Sequence, residues 1–196
     1  IMSDYNHASD ELLALAKTKG LTVRIEQDSY PECPREWDNL GTLVLREYKS
    51  DENFEIGRNV ENVTGNLEYD LMLSHAKSKG LNINDIIFKP VYAYVHSGET
   101  FATTPFNCRW DSGLYGVIYV TKQKVRKEYG AKRISKALNE KVLNILEGEV
   151  KDYDTWARGE VYGFIIEKDE EHLDSCWGYY SLEQVIAEAQ SVIAHH

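Results

Sequence analysis

Cysteine is scarce in this sequence. The 196 residues contain three cysteines, Cys33, Cys108 and Cys176. An odd number of cysteines in a chain of this size is typical of a protein from a reducing compartment, not of a secreted protein with paired disulfides. We therefore expect a cytoplasmic protein.

Apolar stretches in the sequence are short. None approaches the roughly 20 residues that a membrane-spanning helix needs, and no charged-then-apolar leader opens the chain. These absences argue against a membrane partner and against secretion. Ile1, which precedes Met2, and the terminal His195 and His196 look like remnants of cloning, so we assign them no function.

Sequence patterns for metals and nucleotides are missing as well. The chain has no Cys-x-x-Cys pair, no His-x-x-x-His pair and no Asp-x-Asp-x-Asp loop, which are spacings typical of zinc and calcium sites. It also has no glycine-rich phosphate loop and no dinucleotide-binding fingerprint. We expect no metal and no cofactor.

Basic residues are the minority among the charged ones. Lys and Arg number 22 and Asp and Glu number 32, which gives a formal net charge of -10. This balance argues against a protein that coats nucleic acid or an anionic membrane by charge alone. Hydrophobic residues make up 42%, which is ordinary for a globular protein and excludes a disordered chain.

Apolar periodicity predicts helices and strands in mixed order. Strands follow strands, helices stand at the start, middle and end of the chain, and no linker rich in Pro, Gly or Ser interrupts it. We predict an α+β fold with a mostly antiparallel sheet, and one domain over residues 1–196. The predicted helices cover residues 10–19, 67–79, 122–129, 131–150 and 182–193, and the predicted strands cover 21–27, 42–47, 86–95, 99–104, 115–120, 160–168 and 175–180.

Three features predict details within this order. Pro90 interrupts a strand pattern, so we expect an edge position or a β-bulge there. The acidic turn at residues 169–171 is expected to close a hairpin between the last two strands. The polar segment 48–65 is predicted to be a long loop.

Three segments carry an unusual share of Trp, Asp, Ser, Gly and Cys: residues 34–41, 96–113 and 174–178. Such residues form turns over which a Trp packs. Alternatively, the segments converge at one end of a sheet and line a cleft. In that case acid–base chemistry or a cysteine nucleophile is conceivable. The catalytic candidates are His96, Cys108, Asp111, Ser112 and Asp174, with Cys176 as a second thiol.

Charged clusters suggest binding surfaces. One basic cluster runs from Lys122 to Lys136 and is either a solvated helix face or a nucleic-acid contact. Its predicted contacts are Lys122, Lys124, Arg126, Lys127, Lys132 and Arg133. Acidic clusters either serve solubility or occupy a basic channel on a partner protein. The predicted partner-binding residues are Arg35, Glu36, Trp37, Asp38, Asp152, Asp154, Asp169, Glu170 and Glu171.

Several motifs together resemble one protein family. They are PREWDNLGT at residues 34–42, HSG at 96–98 with TPFNCRWDSG at 104–113, and DSCWG at 174–178. The pattern resembles a family of small proteins carried by phages and mobile genetic elements, for which no catalytic residues are assigned. The resemblance implies a counter-defence setting in the cytoplasm of a host bacterial cell, with CRISPR or restriction nucleases as the targets.

Two functional hypotheses follow. The first is an inhibitor that binds a host CRISPR or restriction nuclease, with or without its guide RNA, through an acidic surface. The second is a hydrolase that acts on nucleic acid or a nucleotide through the cleft residues named above. We favour binding, because no metal or nucleophile signature is present. A mobile-element protein with an unrelated small ligand is a third option, and a homodimer is compatible with each.

Overall fold

The computed structural model describes residues 6–54, 62–96, 98–108 and 110–195. Contacts divide the chain into two compact units. We call them the terminal unit (Ile1–Glu32 and Thr155–His196) and the middle unit (Cys33–Asp154). This division does not test the expectation of a single domain, which stays a prediction. Ser97 and Arg109, which belong to the family-like motifs, and residues 55–61 of the predicted long loop lie outside the described residues.

Within these residues the chain forms five helices and eight strands, and the α+β prediction is confirmed. The helices are α1 (Asp10–Thr18), α2 (Leu67–Ser78), α3 (Lys122–Glu128), α4 (Lys136–Ala157) and α5 (Leu182–His195). The strands are β1 (Thr22–Gln27), β2 (Thr42–Leu45), β3 (Glu52–Asn53), β4 (Ile86–Val95), β5 (Glu99–Ala102), β6 (Ser112–Thr121), β7 (Tyr162–Lys168) and β8 (Glu171–Tyr179).

The terminal unit is a three-stranded antiparallel sheet in the order β1-β7-β8, packed against α1 and α5. The alternation of apolar residues in β1 buries Val23 and Ile25 and leaves Arg24 on the other face. α1 begins at the N-cap Ser9, whose hydroxyl accepts from the Leu12 backbone N–H at 3.3 Å. The core of this unit joins α1, β1, β7 and α5.

The middle unit is a five-stranded sheet in the order β3-β2-β6-β4-β5. The pairs among its described strands are antiparallel apart from β2 with β3, which accords with the predicted mostly antiparallel sheet. β3 lies inside segment 48–65, where we expected only loop. Its two residues have no apolar alternation, and pairing with β2 is what makes them a strand.

Helices cover both faces of the sheet in the middle unit. Leu71 and Met72 of α2 pack with Val117 of β6. Ile118, the next residue of β6, points to the opposite face because side chains alternate along a strand. On that face α4 packs, and the ring of its Tyr153 lies 5.1 Å from that of Phe101.

Two predicted local features are confirmed, whereas both predicted ends of the long helix are wrong, since it spans Lys136–Ala157 and not 131–150. The register of β4 with β6 shifts between Val91 and Tyr92, one residue after Pro90, while the alternative of an edge position is wrong because β4 lies between β6 and β5. β7 and β8 form the expected hairpin, and the acidic turn joins them. The long helix begins at Lys136 instead of residue 131, because the Ser135 hydroxyl accepts from the Leu138 backbone N–H and caps the helix there.

Candidate functional site

Four of the catalytic candidates lie together in the middle unit, where β4 ends and β6 begins. We call His96, Cys108, Asp111 and Ser112 the rim cluster. The Asp111 carboxylate Oδ2 lies 3.4 Å from His96 Nδ1 and 3.8 Å from Cys108 Sγ. The Asp111 carbonyl accepts from the Val95 backbone N–H at 2.8 Å, which ties the cluster to the end of β4.

The order of groups in the rim cluster does not suit a cysteine nucleophile. Such a nucleophile needs an imidazole beside the thiol as its base, with a carboxylate behind the imidazole. Here Asp111 is the shared neighbour of His96 and Cys108. The neighbour described for the Cys108 thiol is therefore a carboxylate, to which the thiol donates, and not an imidazole base. The Ser112 hydroxyl donates to the Cys108 carbonyl, so it is engaged in the turn.

The fifth catalytic candidate belongs to the other unit. Asp174 lies on β8 of the terminal unit, and its carboxylate accepts from the Ser175 backbone N–H at 2.7 Å. The segment 174–178 lies within β8 and pairs with β7, which accords with the predicted strand at 175–180 and not with a turn or loop. Asp174 therefore has a local hydrogen bond of the kind that shapes a strand or turn.

The first two segments of the proposed cleft lie at opposite ends of β6. Thr42, which follows segment 34–41, pairs with Tyr119, and Tyr94, which precedes segment 96–113, pairs with Ser112. Seven residues of strand separate those two positions, or about 23 Å at about 3.3 Å per residue. The expectation that these segments line one cleft is wrong for this pair, because the register of β6 keeps them apart.

Arg35, a predicted partner contact, is an internal residue. Its guanidinium is 4% exposed and donates to Glu149 at 3.0 Å, to the Gly41 carbonyl at 2.8 Å and to Asp51 at 3.1 Å. Burial lowers the pKa of Arg35, but hydrogen bonds and charge from Asp51 and Glu149 outweigh burial, and the net pKa is raised. We remove Arg35 from the partner-binding set, because its own chain occupies its donors.

The same hydrogen-bond network gives the PREWDNLGT motif a structural role. Glu149 of α4 also accepts from the backbone N–H groups of Leu40 and Gly41, at 2.8 and 3.1 Å. A side chain on Gly41 would collide with Leu146 and Ile118, so glycine is required where the segment passes between α4 and the sheet. The motif therefore fastens segment 34–41 to α4 and β2.

The remaining acidic candidates of the middle unit differ in exposure. Glu36, Trp37 and Asp38 are exposed, and Glu36 pairs with Lys49 at 2.8 Å. Asp154 accepts from the Phe101 backbone N–H at 2.7 Å and so holds β5. Asp152 is half-buried, and burial raises the pKa of its carboxyl. Only the first three form a surface that a partner can reach.

The acidic turn of the terminal unit is fully accessible. Asp169 and Glu170 form the two-residue turn between β7 and β8, and Glu171 follows; all three are exposed. The backbone φ angles of Asp169 and Glu170 are 52° and 68°, in the left-handed region. The ion pairs described in this unit lie elsewhere, at Arg24 and Arg158. The cation next to the turn is Lys168, which pairs with Glu171 in the register of β7 with β8.

The basic candidates lie on α3 and on the segment that leads into α4. Lys122 and Lys124 donate to backbone carbonyls of Asn84 and Asn39, at 2.6 and 2.8 Å, so each also secures a loop. The other four, Arg126, Lys127, Lys132 and Arg133, are exposed. The predicted contacts omitted Lys136, although it belongs to the same basic stretch of the sequence; it is the first residue of α4 and lies beside them.

Exposed tryptophan is the second feature missed as a site residue. The Trp110 side chain, next to the rim cluster, is 95% exposed, and Trp177 on β8 is 42% exposed. Tryptophan is enriched among the residues that anchor protein interfaces, so an exposed tryptophan is a candidate contact. The signal in the sequence was a tryptophan flanked by Arg109 and Asp111, with no apolar neighbour to bury it.

Comparisons with models of known protein families, with curated proteins and with solved structures find no match for this chain. Over residues 6–54, 62–96, 98–108 and 110–195, no group of three His, Cys, Asp or Glu side chains is arranged to hold a metal ion. In the same ranges no helix has the length and apolarity to cross a bilayer.

Proposed function

We propose that this protein is a counter-defence factor that binds a host nuclease through an exposed acidic surface, with a guide-loaded CRISPR effector as the partner. The observation that carries the proposal is the turn between β7 and β8, where Asp169 and Glu170 present two exposed carboxylates from left-handed backbone. The resemblance of the motifs to phage and mobile-element proteins supplies the biological setting.

The left-handed backbone of this turn favours residues other than the Asp169 and Glu170 that occupy it. A two-residue turn with positive φ at both positions favours Asn-Gly or Asp-Gly. A residue with a Cβ in the left-handed region costs roughly 1–2 kcal/mol, less for Asp than for Glu. Compared with glycine at this position, Glu170 therefore lowers the stability of the hairpin and places a charge at its tip. Strained residues of this kind cluster at functional sites.

β8, the strand that follows the turn, also presents exposed apolar side chains of the kind found at protein interfaces. Leu173 and Trp177 are 39% and 42% exposed on the same strand that follows the turn. Aromatic side chains are frequent anchors of binding energy at protein interfaces, while charges steer association and set specificity. The carboxylates of the turn suit the cations of a basic nucleic-acid channel, and the exposed aromatic side chain farther along the same strand suits its stacking surfaces.

The experiment is a nuclease-inhibition assay. Purified protein is titrated into a guide-loaded CRISPR nuclease that cuts its target DNA, and the guide RNA is run on a denaturing gel beside the DNA. We expect cleavage to stop at a stoichiometric ratio while the guide stays whole. Absence of inhibition across several CRISPR and restriction nucleases would overturn the proposal.

A turn variant separates the charge of the hairpin from its stability. Asp169→Asn with Glu170→Gly removes both charges and installs the preferred residues for this backbone, so the hairpin is stabilised by about 1 kcal/mol. We expect weaker inhibition, by about tenfold or more, from a protein that melts at a higher temperature. The matched control, Glu11→Gln with Glu188→Gln, removes two exposed charges from helices of the same unit and retains full inhibition.

The hydrolase alternative has one observation in its favour, the contact of His96 with Asp111 at 3.4 Å. A carboxylate beside an imidazole can orient it for acid–base work. The same gel distinguishes this function, because a hydrolase shortens the guide RNA or the DNA without added nuclease. Asp111→Asn then abolishes that cleavage, whereas under the binding proposal it leaves inhibition intact.

A further inference from the structure

The middle unit carries a concavity whose charge is opposite to that of the whole chain. It is a shallow surface depression of about 460 Å³, lined by residues from α3, from the segment before α4 and from the first turns of α4. No acidic side chain is among its described lining residues. Five cationic side chains line it: Lys122, Arg126, Lys132, Arg133 and Lys136. We call it the basic concavity.

We infer that the basic concavity binds the phosphate backbone of a nucleic acid. This activity does not depend on nuclease inhibition, and it involves residues of the middle unit, whereas the acidic turn belongs to the terminal unit. The five cations repel one another at short range and form a positive region on a chain whose net charge is -10. Phosphate groups are the natural counter-charge for such a cluster.

Three of the five cations are available to a ligand. In the part of the chain that the structure describes, no ion pair or side-chain hydrogen bond engages Arg126, Lys132 or Arg133, and all three are exposed. Lys122 donates one hydrogen bond to a carbonyl and keeps its charge. Lys136 is 93% exposed and lies 4.0 Å from Glu140, a separation at which an exposed ion pair contributes little.

The N-terminus of α4 adds to the positive potential of the basic concavity. The first turn of this 22-residue helix contains no acidic residue, and its positive end opens at Ser135 and Lys136, both of which line the concavity. Unpaired N–H groups at a helix start attract anions, and the surrounding cations add to that attraction. Arginine also binds phosphate through two parallel hydrogen bonds, which Arg126 and Arg133 can both offer.

Nucleic acid fits these observations better than a lipid surface. A protein that rests on a membrane usually inserts apolar side chains beside its basic residues. None of the large exposed apolar side chains among the described residues lies between positions 121 and 140. The concavity is also open, as a continuous backbone of phosphates requires, since the strand must enter and leave.

The test measures binding of fluorescein-labelled 20-nucleotide RNA and DNA single strands by anisotropy, with no nuclease present, between 50 and 200 mM NaCl. Three to five phosphate contacts predict a slope of about -2 to -3.5 in log K against log [salt]. The double variant Arg126→Gln with Arg133→Gln removes two contacts, so it weakens binding and flattens the slope by about 1.4. Circular dichroism checks that the variant folds.

Controls decide what a signal means. Lys17→Gln with Lys19→Gln removes the same charge from the exposed end of α1 and should leave binding unchanged. Inorganic phosphate at constant ionic strength should displace the oligonucleotide only far above the nucleotide-phosphate concentration. The inference would be overturned if the wild type failed to bind the oligonucleotide at 50 mM NaCl, or if the control variant lost as much affinity as the double variant. It would also be overturned if low-millimolar phosphate displaced the oligonucleotide, because that result would assign a small-anion site.

Discussion

At the scale of single residues, arginines of this protein have opposite roles that depend on burial. Arg35 is 4% exposed between Asp51 and Glu149, while Arg24 is 48% exposed beside Glu26 and Glu167. Removing one member of a buried ion cluster leaves uncompensated charge, whereas an exposed pair is already screened by water. The same residue type is thus structural in segment 34–41 and nearly neutral for stability on β1.

We predict that Arg35→Met destabilises the protein by about 3–5 kcal/mol, because it leaves Glu149 and Asp51 without their cation. Arg24→Met, the matched control, should cost less than about 1 kcal/mol. Chemical denaturation followed by tryptophan fluorescence measures both. A cost for Arg35→Met no greater than for Arg24→Met would show that the guanidinium is not a structural centre of the middle unit.

At the scale of elements, β6 is the crowded centre of the sheet in the middle unit. It lies between β2 and β4, and Gly116 pairs with Leu45 on one side and Val91 on the other. A Cβ on Gly116 would collide with the Val44 carbonyl oxygen, which is backbone and has little freedom to move. Helix α4 differs, since a Cβ on Gly148 would enter open space.

Two glycine-to-alanine substitutions should therefore change stability in opposite directions. Gly148→Ala is expected to stabilise the protein by about 0.5–1 kcal/mol, because alanine loses less backbone freedom in a helix. Gly116→Ala is expected to cost about 1–3 kcal/mol through overpacking against the neighbouring strand. Thermal and urea unfolding of the two variants measures the difference. Equal effects would contradict the assigned packing of β6.

At the scale of the whole molecule, charge is unevenly distributed. Acidic residues outnumber basic ones by ten, yet α3 and the start of α4 form a local positive field. A net charge of this size raises the rate at which a protein meets an oppositely charged partner, and salt weakens that effect. Both proposed activities rest on electrostatics, so both respond to ionic strength.

Association with the nuclease should therefore slow as salt increases. Under the proposed function, the association rate constant is expected to fall about tenfold between 50 and 300 mM NaCl, while the dissociation rate changes little. Surface-based kinetics with immobilised nuclease measures both rates. The Asp169→Asn, Glu170→Gly variant should show a shallower salt dependence. If the association rate constant did not depend on the NaCl concentration, electrostatic steering by the acidic turn would be excluded.

The sequence indicated most elements correctly, because helix and strand signals are local. Gly20 and Gly80 end α1 and α2 with positive φ, as their positions after lysine-rich last turns suggest. The hairpin of β7 and β8 and the bulge after Pro90 were also readable, since turn residues and proline act on their immediate neighbours. The α+β class followed from the order of these elements.

The candidate site was less predictable, because it depends on pairing between distant segments. His96, Cys108 and Asp111 come together in space, which the sequence had left open. Composition did not reveal that Asp111 would stand between the other two, nor that segment 34–41 would lie at the far end of β6. Those facts follow from strand register, and register is set by the packing of whole faces.

The sequence by itself determined the helices, the hairpin, the acidic balance and the basic stretch that begins at Lys122, since each depends on residues close together in the chain. Only the tertiary structure decided which charges face water. Arg35 meets a carboxylate 114 positions away and is buried, whereas Asp169 and Glu170 stand at a hairpin tip. Burial depends on what packs against a side chain, and that partner comes from a distant part of the sequence.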